Sequence, residues 1–113
     1  MPLDYEIAAP FGQPDVQAPA YAATLNVTIS DLQTILSPAI LTGNQTINLT
    51  IQKDVRIGAT LMLVTKATTT ETTTPGTGFT APAFAGVAGK TKTQFFVYDG
   101  TTFKPTGVAF QID

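Results

Sequence analysis

The chain has 113 residues, enough for a single domain with one modest core. Only 12% of the residues are charged against 43% hydrophobic, the net charge is −2, and histidine, cysteine and tryptophan are absent. This balance provides no basic field for nucleic acid or anionic lipid and no imidazole base, thiol nucleophile or usual zinc ligand. It also provides no disulfide staple.

Low charge leaves little repulsion between copies, so apolar surface must be hidden within the monomer or buried by assembly, and assembly is the expectation. No stretch approaches the roughly 18 apolar residues of a membrane span, and no basic-then-apolar leader opens the chain. Synthesis in the cytoplasm without a cleaved signal is therefore expected.

Residues 1–23 hold Pro2, Pro10, Pro14 and Pro19, which bar a helix or an interior strand from running through the segment. Leu3, Tyr5, Ile7, Phe11, Val16 and Tyr21 make it more apolar than a solvated linker needs. The expectation is an extended arm lying along another surface, its own domain or a neighbour's, followed by a β domain over residues 24–113.

Thr24-Leu25-Asn26-Val27-Thr28-Ile29 and Thr46-Ile47-Asn48-Leu49-Thr50-Ile51 are near-copies that alternate apolar and polar residues with period two, the pattern of a half-buried strand. Between them, Ser30-Asp31-Leu32-Gln33 has capping-box spacing, and Leu32, Ile35 and Leu36 follow at helical intervals. A short connecting helix ending at Ser37-Pro38 is predicted. The second alternation can be continued through Val55 and Ile57 to Gly58.

Ala59–Lys66 is a denser apolar strand and is placed nearest the middle of the sheet packing. The run Thr68–Thr74, centred on Glu71, specifies register weakly and suits a protruding hairpin or loop. Residues 79–89 suit an irregular crossover with two buried rings, Phe79 and Phe84. Thr93–Tyr98 leads into Asp99-Gly100, expected to supply both φ > 0 positions of a tight hairpin turn. Thr101–Phe103 would return, Pro105 would bend the hairpin or place it at an edge, and Val108–Ile112 would form a last strand.

Asn26, Asn44 and Asn48 each precede a Thr by two residues, the glycosylation acceptor pattern, but Asn and Thr at that spacing simply share the solvent face of an alternating strand. The acidic residues are scattered, with no calcium-loop spacing or evident acid pair. The reading is therefore of a protein that binds or builds, with no catalytic residue, cofactor or metal. Phe95 and Phe96 must point to opposite faces. A surface carrying Phe96 and Tyr98 is the candidate interface, together with Leu3, Tyr5, Ile7, Phe11, Val16 and Tyr21 of the arm.

Three features together resemble small β-structured virion proteins of tailed and related bacteriophages, such as capsid decoration proteins, head fibres and fibre or spike domains. They are the Pro-rich arm over residues 1–23, the strand pair Thr46–Ile51 and Val55–Val64 broken at Gly58, and the ending Gln94-Phe-Phe-Val-Tyr-Asp-Gly-Thr-Thr-Phe103. The resemblance implies an all-β fold, a β-sandwich or jelly roll, with frequent homotrimerisation and an arm that docks on a major capsid protein or a neighbouring subunit. The expected function is that of a virion structural protein. The alternative is a carbohydrate-binding or adhesin-like module gripping a host-surface glycan through the Thr68–Thr74 loop or exposed aromatics.

Overall fold

The computed structural model describes residues 14–113, and every strand-forming stretch in it is short. The strands are β1 (Asp15–Gln17), β2 (Thr24–Ile29), β3 (Gln33–Leu36), β4 (Gln45–Ile51), β5 (Thr60–Lys66), β6 (Thr72–Pro75), β7 (Phe84–Ala85), β8 (Thr91–Tyr98), β9 (Phe103–Pro105) and β10 (Phe110–Gln111). No helix occurs among the described residues. They form two mixed sheets, the first ordered β1-β3-β5-β8-β10 with β9 also on β8, the second ordered β2-β4-β6-β7.

From β1 to β6 the chain alternates between the sheets, and each strand lies parallel to the one two before it. A parallel neighbour needs a long crossover. Here the crossover is a strand of the opposite sheet, so the chain winds as a flattened coil. The near-copies β2 and β4 lie side by side in register, Thr24 opposite Thr46 and Ile29 opposite Ile51. Four of the eight strand pairings are parallel, which departs from the antiparallel pairing of a jelly roll.

One core joins the sheets. Leu25, Val27, Ile29, Ile47 and Leu49 from the second sheet meet Leu36, Leu61, Leu63, Phe96 and Phe103 from the first. The Ala59–Lys66 expectation holds, since β5 is the middle strand of the first sheet's order. Phe79 is buried as expected, while Phe84 is only half-buried and sits in the two-residue strand β7.

Four local expectations are corrected. Ser30–Leu36 is not a helix: Gln33–Leu36 is β3, paired in parallel with β1 on one side and β5 on the other. Seven residues give a helix too few internal bonds to survive alone, whereas two neighbouring strands satisfy this backbone on both sides. Leu32, expected on the helix's apolar face, is exposed.

The alternation after Ile51 does not continue. Residues 52–59 turn between the sheets, Ile57 is exposed, and Val55 and Ala59 return to the core.

The Thr run is not all loop, because Thr72–Pro75 is β6, with Thr73 buried and paired to Gln45. Glu71 folds back instead, its carboxylate accepting from the Thr69 amide (2.8 Å) and hydroxyl (3.0 Å), and the amide bond holds it below its usual pKa.

The Asp99-Gly100 hairpin exists, but residues 99–102 form a four-residue loop closed by Tyr98 opposite Phe103. Within this loop only Gly100 has positive φ (100°), and no non-glycine residue among those described does. Asp99 serves the turn through its side chain, Oδ1 accepting from the amides of Thr101 (2.9 Å) and Thr102 (3.0 Å) while Oδ2 pairs with Lys104. The Lys104 hydrogen bond, then those amides, hold this carboxyl far below its ordinary range. As expected, Pro105 ends β9 at an edge of β8, and β10, shorter than predicted, takes over farther along β8.

Residues 15–17 of the predicted arm lie on the chain's own domain as β1. Beside them the core holds a flaw: the Thr34 hydroxyl is buried with no hydrogen-bond partner. An unpaired buried hydroxyl retains its desolvation penalty, and valine matches threonine in shape. Thr34→Val is therefore expected to raise stability by about 1 kcal/mol, read as a higher urea midpoint at unchanged slope.

Candidate interaction face

A strand in a sheet with one buried face should carry polar residues outward. The second sheet obeys this rule: Thr24, Asn26 and Thr28 stand beside Thr46, Asn48 and Thr50 on its outer side. Two of these outward or flanking amides are structural. Asn44 Oδ1 accepts from the Thr72 amide and Asn48 Oδ1 from the Thr77 amide, each at 2.9 Å, tying the β6 segment to β4.

The first sheet breaks the rule. Leu36, Leu61, Leu63 and Phe96 face the core, so the residues between them face out. Register then aligns Val16, Ile35, Met62 and Phe95 in one row across β1, β3, β5 and β8. The next row is Val64, Thr93 and Phe110. Phe95 and Phe110 stack with ring centroids 6.4 Å apart. Val16 is 62% exposed, Phe110 47% and Phe95 44%, while Ile35, Met62 and Val64 are half-buried. Neither row contains a charged side chain. Apart from Thr93 this is a continuous apolar surface on five adjacent strands, which makes it the candidate interaction face.

The candidate residues divide as follows. Leu3, Tyr5, Ile7 and Phe11 lie outside the described residues. Val16 belongs to the apolar row. Tyr21 does not: it is half-buried, and its hydroxyl donates to the Asn44 carbonyl at 2.8 Å. Phe96 is 1% exposed, so the candidate interface built on it is corrected; its ring meets Phe79 edge-on at 4.9 Å. Tyr98 packs against Phe103 at 5.2 Å and donates to the Gly100 carbonyl at 3.0 Å. Ile35, Met62, Val64, Phe95 and Phe110 were missed. The adjacent phenylalanines were a signal that one ring faces out, but the choice of ring follows from which face of β8 meets the core.

A groove of about 420 Å³ opens at one edge between Phe84 and the Pro105–Ala109 turn. Gln94 lines it, its Nε2 donating to the Gly107 carbonyl at 2.9 Å and its Oε1 buried without a partner. No protein-family model, curated protein or solved structure matches the chain.

Proposed function

We propose that this protein is a non-enzymatic structural component of a bacteriophage virion that decorates or stabilises a capsid or builds a fibre or spike. It assembles by burying the outer face of the first sheet against other copies of itself, and in the particle against a capsid or other virion protein. The observation that carries the reading is the uncharged row Val16, Ile35, Met62 and Phe95, extended by Phe110. In water such a face costs free energy in proportion to its apolar area, about 25 cal/mol per Å², and a partner relieves that cost. In this reading the two sheets are the layers of a sandwich wound as a coil. Val16 makes the arm part of the attachment surface, and a homotrimer is the assembly that the virion resemblance favours.

The stacked pair Phe95 and Phe110 supports a second reading, a module on which a sugar ring stacks. Sugar recognition also needs polar groups beside the ring, and the neighbours in these two rows are apolar apart from Thr93, which is buried.

Light scattering on the native chain and on Phe95→Lys tests the proposal. The native chain is expected to be an oligomer, and the variant a monomer with an unchanged β-sheet circular dichroism signal. A native monomer that also ignores purified capsids, yet binds glycans unless Phe95 is replaced by alanine, would put the second reading first.

A further inference from the structure

Three buried polar atoms among the described residues have no hydrogen-bond partner: Thr34 Oγ1, Gln45 Oε1 and Gln94 Oε1. Gln94 is the one of the three that lines the groove between Phe84 and the Pro105–Ala109 turn. It projects from the core side of β8, as Phe96 does two residues on, and is 3% exposed. Its Nε2 donates to the Gly107 carbonyl at 2.9 Å, which leaves Oε1 as an unused acceptor in the groove wall. Such an acceptor keeps its desolvation penalty until a donor reaches it.

The rest of the groove fixes the body to which that donor belongs. Pro82, Phe84, Pro105 and Val108 supply apolar walls, and no charged side chain lines it. A volume of about 420 Å³ is in the range of small-ligand sites. The complement is a neutral aromatic ring with a single donor. Among side chains this is the indole of tryptophan, whose N–H only donates, whereas a tyrosine hydroxyl brings acceptor lone pairs as well. Tryptophan is also enriched among the residues that carry the binding energy of protein interfaces. This chain has none, so the ring must come from another protein.

The geometry points to this groove as a docking site for a tryptophan side chain of a partner protein, with the indole N–H donating to Gln94 Oε1. To admit the ring the turn over Gln94 shifts outward, and it has room to do so. A Cβ on Gly107 would meet nothing within 4 Å, and Val108 is 83% exposed. Gln94 and Phe95 point to opposite faces of β8, so the groove is separate from the apolar outer face and does not rest on the assembly reading.

Because the chain has no tryptophan, indole emission comes from an added probe alone. Emission of N-acetyltryptophanamide is expected to shift to shorter wavelength, and to saturate, as the chain is added. N-acetyl-1-methyltryptophanamide, the same ring without its donor, should bind about tenfold more weakly, the worth of one hydrogen bond. Gln94→Leu should bind the two probes equally. Val108→Asp, which charges an exposed wall, should bind neither and keep the native circular dichroism signal. Phe95→Lys should bind as the native chain does.

No saturable shift, or equal affinity of the native chain for both probes, would overturn the proposal. Unchanged binding by Val108→Asp would do the same, and loss of binding in Phe95→Lys would move the probe to the outer face. Binding of free indole without binding of the amide would assign the groove to a small molecule instead. If Gln94→Leu does not fold, the two probes on the native chain and on Val108→Asp still decide.

Discussion

Phe96→Ala is expected to cost about 3–5 kcal/mol, the loss typical of a large aromatic removed from a core. The ring is 1% exposed, pairs edge-on with Phe79 and lies opposite Leu61 on the central strand. Domains of this size have about 5–15 kcal/mol of stability in all, so the variant should melt tens of degrees lower or fail to fold. Phe95→Ala, one residue away on the outer face, should cost about 1 kcal/mol or less in the monomer, because that ring is 44% exposed. Urea unfolding of the two variants at a concentration where Phe95→Lys is monomeric makes the comparison. Equal losses would mean that the assignment of faces in β8 is wrong.

Gly78→Ala is the second large effect, and it acts through the backbone. Gly78 has φ +89°, a region that an L side chain enters at a cost of about 1–2 kcal/mol. A Cβ there would stand 2.7 Å from Leu49 Cβ and 3.2 Å from the Leu49 carbonyl oxygen. Neither atom can yield easily, since the Leu49 amide donates to Thr77 at 2.7 Å and Leu49 belongs to the core. Overpacking of this kind adds about 1–3 kcal/mol. Gly89→Ala separates the two terms: its φ is +70° but nothing lies within 4 Å, so it should show the conformational cost alone. If thermal melts of the two variants coincide, the contact with Leu49 is not tight.

What could be read in advance was local. Period two in Thr24–Ile29 and Thr46–Ile51 identified strands and their buried sides, because alternation of side chains follows from the backbone itself. The density of Leu61, Leu63 and Val64 placed β5 centrally, and Asp99-Gly100 marked the hairpin, although the turn uses one positive φ and an aspartate side chain rather than two positive φ values. The helix predicted over residues 30–36 failed where local capping competed with backbone pairing on two sides, and pairing prevailed. The threonine run Thr68–Thr74 carries no alternation and so suits a protruding hairpin or loop; the place of Thr72–Pro75 in the sheet is decided by Asn44, Asn48 and the parallel edge of β4.

The candidate face was the least legible part. Its row draws one residue from each of four strands between positions 16 and 95, so no window of the sequence contains it. By itself the sequence determined a β-rich chain with a sparsely charged, threonine-rich composition and short apolar strands, since these follow from composition and period. Only the tertiary structure decided that β2 pairs in parallel with its own copy, that Phe96 rather than Phe95 enters the core, and that one sheet has an apolar outer side. These depend on which strands become neighbours and on which face the second sheet covers, and such contacts between distant residues leave no trace in local pattern.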